Sequence, residues 1–237
     1  MKKTTFLLAL LFICISSRAE EARIPYIANT PQEAYEIPQL LQQHHVKYHT
    51  LTYCNWKEYP YKPFAQFAMA YTPSAIIIAY RAKEYDIRAQ YTQDQDPVFK
   101  DACMEFFIQP ADDSIYYNFE CNCLGYILMQ AGTTTRPRDE ASQAILKNIK
   151  RWTSISREQI RQAGKKTTSW EVALIIPYTS FYMHHIHSLA GKNVRANVYK
   201  CGGTKQYTHY VSWSPIKTPK PNFHTPEYFG QMTFIAP

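Results

Sequence analysis

Two stretches of alternating side chains, separated by a polar turn, leave this chain few ways to fold. In ACMEFFI (102–108), Ala102, Met104, Phe106 and Ile108 alternate with Cys103, Glu105 and Phe107. After QPADDS, IYYNFECNC (115–123) alternates Ile115, Tyr117, Phe119, Cys121 and Cys123 with Tyr116, Asn118, Glu120 and Asn122. Successive side chains of a strand point to opposite faces, so each stretch turns an apolar face inward and a more polar face outward. The pattern predicts an antiparallel hairpin with Glu105, Glu120 and Asn122 on its polar side.

Strand signals recur along the chain. SAIIIAYRA (74–82) and YDIRAQYTQ (85–93) read as a second hairpin, the latter with Tyr85, Ile87, Ala89 and Tyr91 on one face. TSWEVALIIP (168–177), VRANVYKC (194–201), THYVSW (208–213) and GQMTFI (230–235) add further strands. Fifteen prolines and seven glycines, gathered in stretches such as YPYKP and SPIKTPKP, mark loops between them. One region departs from this pattern. DEASQAILKNIKRW (139–152) has acidic residues in its first turn, Ala141, Ala144, Ile145, Ile149 and Trp152 at helical spacing, and basic residues toward its end. The expectation is an all-β chain, an antiparallel β-sandwich with one inserted helix, forming one domain.

The opening MKKTTFLLALLFICISSRAEEA has two lysines, an apolar run from Phe6 to Ile15 and small residues around Ala19, and reads as a secretory signal over residues 1–19. The apolar run is about half the roughly 20 residues a membrane span requires, and no later segment is long and apolar enough to anchor the chain. Phe12 and Ile13 stand where small residues would precede an acylated cysteine, which argues against lipid attachment at Cys14. The expected product is exported, periplasmic or extracellular, with residues 20–44 as an N-terminal extension and 45–237 as the sandwich. Removing the leader takes away Lys2, Lys3 and Arg18 and lowers the net charge from +7 to +4. The remaining basic residues are scattered and form no stripe, so nucleic acid is excluded as a partner. Five cysteines remain, Cys54, Cys103, Cys121, Cys123 and Cys201, too few and too unevenly placed for a disulfide-stapled fold, and most are expected as buried thiols.

From the residues alone, the polar row has three readings: a solvated sheet face, a binding surface, or a carboxylate pair for glycoside hydrolysis. No GxSxG elbow, HExxH helix, phosphate loop or dinucleotide fingerprint competes with them. HHIH (184–187) and the CxC at 121–123 lack the additional spaced ligands that a metal centre needs.

Four motifs in order, DPVFKDACMEFFIQP, YYNFECNCLG, RANVYKC and HYVSWSPIKTPKPNFHTPEYFGQMTF, resemble the motif series of family 9 carbohydrate-binding modules, and are similar to the stand-alone exported proteins of that type. The resemblance runs from about residue 45 to the C-terminus. It implies a β-sandwich that binds the end of a glycan without cutting it, gripping the ring between two aromatic side chains. It also implies structural calcium in many members, and action beside separate glycoside hydrolases on oligo- or polysaccharide.

Position by position, the resemblance makes Phe99 and Phe223 the clamp aromatics, with Phe223 opening the FHTPEYFG pattern. It makes Glu105 a sugar-binding carboxylate, and Asn122 and Asn197 ligand-contacting amides. The chemistry agrees: a pyranose stacks its C–H face on an aromatic ring and needs acceptors and donors around its hydroxyl rim. The chain also departs from the family. Both clamp positions are Phe where Trp is usual, and Glu120 stands where well-known members carry an arginine. Two adjacent carboxylates repel unless a proton, a cation or a base such as Arg195 neutralises them. Binding is therefore the expected function, with Glu105 and Glu120 as a hydrolytic pair the main alternative. Haem is a third reading, for which no matched position supplies an axial ligand. Asp94, Asp96, Asp101, Asp112 and Asp113 offer oxygens for calcium, but their spacing fits no EF-hand loop.

Overall fold

The computed structural model describes residues 19–237; the leader and Cys14 lie outside the described residues except at Ala19. The strands are β1 (Glu21–Ile24), β2 (His49–Thr50), β3 (Tyr53–Cys54), β4 (Phe64–Tyr71), β5 (Ala75–Tyr85), β6 (Cys103–Gln109) and β7 (Tyr116–Asn122). They continue with β8 (Ile127–Gly132), β9 (Asp139–Glu140), β10 (Lys150–Thr153), β11 (Thr167–Pro177), β12 (Asn193–Gly202), β13 (His209–Ser212) and β14 (Gly230–Phe234). Three short helices join them: α1 (Ile37–Gln43), α2 (Gln143–Asn148) and α3 (Arg157–Ala163). One sheet runs β1-β14-β12-β6-β7-β8-β9, with β13 pairing both β12 and β3, and the other runs β10-β11-β5-β4-β2. Among the described strands, pairing is antiparallel except between β1 and β14, and an isolated bridge between Tyr26 and Tyr71 is also parallel. The two sheets form the expected sandwich.

The alternation read from β6 and β7 is realised. Met104, Phe106, Tyr117, Phe119 and Cys121 point between the sheets against Phe67, Ile78, Tyr80 and Leu174, all buried. SAIIIAY is apolar on both faces because β5 is covered twice. Ile76 and Ile78 face the inter-sheet core, while Ile77 and Ala79 pack under Ile37 and Leu41 of α1. Residues 20–44, set apart in the sequence as an extension, add β1 to an edge of the large sheet and α1 to the outer face of the small one.

Within the core, Lys200 of β12 is completely buried, with Nζ 3.0 Å from Glu84 and 2.8 Å from His209 Nε2, while Trp170 Nε1 donates to Glu84 at 2.7 Å. A buried ion pair persists only when its remaining polar atoms are also satisfied, and here an indole, an imidazole and the Cys201 carbonyl do so.

Two expectations are corrected. The stretch 85–93 is no strand: β5 pairs with β4 and β11, and Asp86 leaves the sheet with φ 55°. Ile87 and Ala89 still pack on the core, but the N–H groups of Gln90 and Tyr91 donate to the Asp101 carboxylate rather than to a neighbouring strand. The helix expected over 139–152 shrinks to α2, capped by Ser142. Its flanks are pulled into sheets, Asp139–Glu140 onto β8 and Lys150–Thr153 onto β11. α1 and α3 come in addition to that helix, and β4 was not anticipated.

Candidate functional site

The outer face of the large sheet carries a three-by-three array fixed by strand register. Across β7, β6 and β12 the rungs are Asn122–Cys103–Cys201, Glu120–Glu105–Tyr199 and Asn118–Phe107–Asn197. Loops close over the outer rungs and leave a pocket of about 520 Å³ above the centre, lined by Glu105, Glu120, Cys201, Phe99, Phe223 and Tyr210 among others. Arg88, Lys100, Arg136 and His224 complete its walls.

Four of the six residues singled out in the sequence therefore meet in one place. Phe99 sits on a short turn, Val98–Lys100, whose Val98 is buried as an anchor while the Phe99 ring remains 42% exposed. Phe223 is 9% exposed, and one of its faces stacks on Tyr199 with centroids 4.1 Å apart and planes within 5°. It cannot offer that face to a ligand. Tyr210 packs edge-on against Trp56, Tyr59 and Phe223, so the aromatic side of the pocket is a cluster rather than a single ring.

Asn122 and Asn197 are on the expected face but do not reach the pocket. The Asn122 amide is used up by the Tyr91 carbonyl, Asp101 and the N–H groups of Leu124 and Tyr126 at 3.0–3.2 Å. Asn197 is held by the Ser214 N–H and C=O and by the Val198 N–H. Both are completely buried fasteners of the loops that close the ends of the array.

Glu105 and Glu120 face each other across β6 and β7, each almost wholly buried. Burial pushes both carboxyls well above the usual range; the adjoining Cys201 raises Glu105 further, and the Glu105 charge raises Glu120. Arg195 is not the neutralising base, since its guanidinium donates to the Pro226 carbonyl outside the pocket. Arg138 acts instead at one remove. It lies 3.8 Å over the Tyr116 ring and donates to Asn118 Oδ1 at 3.1 Å, and Asn118 Nδ2 donates to Glu120 Oε1 at 2.9 Å. Glu120 Oε2 has no partner. His224 meets the Tyr116 hydroxyl at 2.9 Å, and burial, with Arg138 and Arg136 behind it, lowers its pKa to about 3, so the ring is neutral.

Tyr210, His224, Arg88, Lys100 and Arg136 were missed in the sequence: His224, Lys100 and Arg136 stand outside any alternating stretch, Arg88 lies in the stretch 85–93 that folds as a loop, and Tyr210 follows a buried histidine in β13. Gly202 explains another close approach. At φ 126° its α-carbon lies so near the 101–102 backbone that a Cβ would fall 2.4 Å from the Asp101 carbonyl, which brings the Cys201 thiol within 3.1 Å of the Phe99 carbonyl.

Of the five aspartates that offer oxygens for calcium, three are paired with basic side chains: Asp94 with Arg151 at 2.6 Å, Asp101 with Arg88, and Asp113 with His184. Asp96 accepts from the Gln93 N–H, and among the described residues these aspartates form no group of three close ligand oxygens. His184 is also tied to the Tyr117 hydroxyl, while Cys121 and Cys123 lie in the inter-sheet core. All five described cysteines are thiols, four of them buried and Cys54 half-buried.

Comparison with known proteins agrees with the fold. A candidate carbohydrate-binding protein from Bacteroides uniformis is similar at 38% identity and TM-score 0.85, covering 91% of this chain and 99% of that one. Two structures of a family 9 module from Caldicellulosiruptor kristjanssonii, one with cellotriose and one with glucose, superpose with TM-scores of 0.61 and 0.60. Their identities are 10% and 11%; they cover 92% and 91% of this chain and 95% and 96% of their own, and show a shared fold. No curated protein sequence matches the chain. The sequence profile of carbohydrate-binding family 9 matches residues 35–234, nearly the whole described chain, and with the sandwich and its pocket this places the protein in that family of non-catalytic binding modules.

Proposed function

We propose that the pocket over β6, β7 and β12 takes the end of a glycan, with a sugar ring lying against Phe99 and the inner aromatic cluster at Phe223 and Tyr210. The observation that carries this reading is Glu120, which lines the pocket and whose buried Oε2 has no hydrogen-bond partner. An unpaired buried polar atom costs about 1–3 kcal/mol, and a sugar hydroxyl would remove that cost. Protonated carboxyls suit a hydroxyl rim because each can donate one hydrogen bond and accept others. The glucose and cellotriose bound by the Caldicellulosiruptor modules support the same ligand class.

The grip differs from a symmetrical clamp. Phe99 offers an open face, whereas Phe223 is backed by Tyr199 and contributes at most its other side. With burial pushing both floor carboxyls toward their neutral form and Lys100 and Arg136 in the walls, the pocket favours a uronic acid end over a neutral one. Hydrolysis does not suit this floor. A glycosidase needs one carboxyl protonated and its partner ionised, with environments that push their pKa values apart, and here burial drives both upward.

The protein's role, on this reading, is that of an exported capture module serving polysaccharide degradation by separate glycoside hydrolases. Isothermal titration with glucose, cellotriose and glucuronic acid tests it: saturable binding with glucuronic acid ahead of glucose is expected. Absence of binding to all three, or release of reducing ends from cellotriose, would overturn it.

A further inference from the structure

One corner of the pocket floor holds, beside Glu105, two thiols that sugar binding does not require. Cys103 of β6 and Cys201 of β12 are directly opposed in register, and Glu105 follows Cys103 on the same face. The two Sγ atoms and a Glu105 carboxylate oxygen all lie within 4.8 Å of one another, and all three residues are buried. Cys201 Sγ is 2.8 Å from Glu105 Oε1. Cys201 and Glu105 line the pocket, and Cys103 stands beside Cys201 on the same face.

We propose that Cys103, Cys201 and Glu105 form a binding site for a zinc-type divalent cation, with its fourth coordination position open to the pocket. Zinc takes thiolate sulfur at about 2.3 Å and carboxylate oxygen at about 2.0–2.2 Å, which sets neighbouring ligand atoms roughly 3.5 Å apart. The observed spacing reaches that with small side-chain rotations on two rigid strands. Two thiolates select a borderline-soft ion over calcium or magnesium, which prefer an all-oxygen shell. Binding displaces the protons of both thiols and of the carboxyl, leaving one net negative charge that the basic walls of the pocket offset. Three protein ligands with one open position is the arrangement of zinc sites that accept an outside ligand.

The competing use of these residues is a cross-strand disulfide, since opposed strand residues fall within disulfide reach. A disulfide would take away the thiol that Glu105 Oε1 accepts from and leave that buried carboxyl unpaired. A metal ion engages all three groups. The other described cysteines offer no such set, Cys121 and Cys123 facing the core and Cys54 lying half-buried on β3.

Cobalt titration of the reduced full chain, without sugar, tests the site and is read independently of whether the pocket binds glycans. The expected result is a near-ultraviolet thiolate-to-cobalt charge-transfer band that saturates at about one equivalent and is bleached by zinc. Cys103→Ser and Cys201→Ser should each weaken or abolish the band, Glu105→Gln should weaken cobalt binding by about ten-fold or more, and Cys54→Ser should leave it intact. Circular dichroism of each variant verifies folding. No charge-transfer band in the wild type, a band that survives in the folded Cys103→Ser and Cys201→Ser variants, or a Cys103–Cys201 disulfide found by mass spectrometry in the protein isolated without reductant would overturn the proposal.

Discussion

Replacing Glu120 by Gln asks whether the pocket floor holds its protons. Burial is the main cause that raises this carboxyl, the facing Glu105 adds to it, and Asn118, Arg138 and Arg136 act in the opposite sense. Below the ordinary glutamate pKa of about 4.3, folded and unfolded chains both carry the proton, and the group contributes no pH dependence. Above it the unfolded chain releases the proton while the folded chain keeps it. Stability then falls as pH rises, by about 1.4 kcal/mol per pH unit, until the pH passes the folded pKa. Gln keeps the shape and an oxygen for the Asn118 donor at 2.9 Å, and it has no proton to lose. The substitution should therefore be near neutral at about pH 4 and increasingly stabilising above about pH 5, with the gap to wild type widening by about 1.4 kcal/mol per unit. Urea unfolding of both proteins from about pH 4 to 9, with slopes checked for constancy, measures that gap. A gap that stays flat or closes as pH rises would mean that Glu120 is ionised in the folded protein, and the argument about the floor would fail.

Three further outcomes are expected. Lys200→Met leaves Glu84 buried without its cation and should cost about 3–5 kcal/mol in chemical denaturation; a loss under about 1 kcal/mol would show that the core pair is not held as described. Asn122→Ala removes four hydrogen bonds inside the loop closure and should cost at least about 2 kcal/mol, yet leave sugar affinity of the folded fraction unchanged by titration calorimetry. Arg136→Gln should weaken glucuronic acid binding by about 0.2–1 kcal/mol and leave glucose affinity unchanged, a difference that disappears at high salt.

Much of the fold was legible because period two is a strong signal when one face of a strand is buried. Residues 102–123 placed every side chain of β6 and β7 on its observed face, and with them both floor carboxylates. The same rule misled at 85–93, where Tyr85, Ile87, Ala89 and Tyr91 alternate in a loop whose N–H groups find the Asp101 side chain instead of a strand. Alternation reports which side chains are buried, and a loop lying flat on a core can satisfy it. Asn122 and Asn197 show a second limit. Their face was right, but whether an amide meets a ligand or a backbone depends on which loop crosses above it, and Tyr91 and Ser214 lie 31 and 17 residues away from the amides they hold, outside the strands that carry them. The Cys103–Cys201 pairing was hidden for a similar reason: it depends on β6 and β12 lying side by side, and 97 intervening residues give no local sign of it.

The central claim is that Phe99 forms an open aromatic wall over a carboxyl floor and binds a sugar without cutting it. Calorimetric titration of wild type and Phe99→Ala with glucuronic acid and cellotriose, with reducing ends assayed in the same cells, tests it most directly. Because the ring is 42% exposed, the substitution should change folding stability by no more than about 0.5 kcal/mol. It should weaken binding by about ten-fold, the worth of a stacked aromatic face, with no product in either protein. Unchanged affinity in the folded variant, or reducing ends that accumulate with wild type and not with Glu105→Gln, would contradict the account.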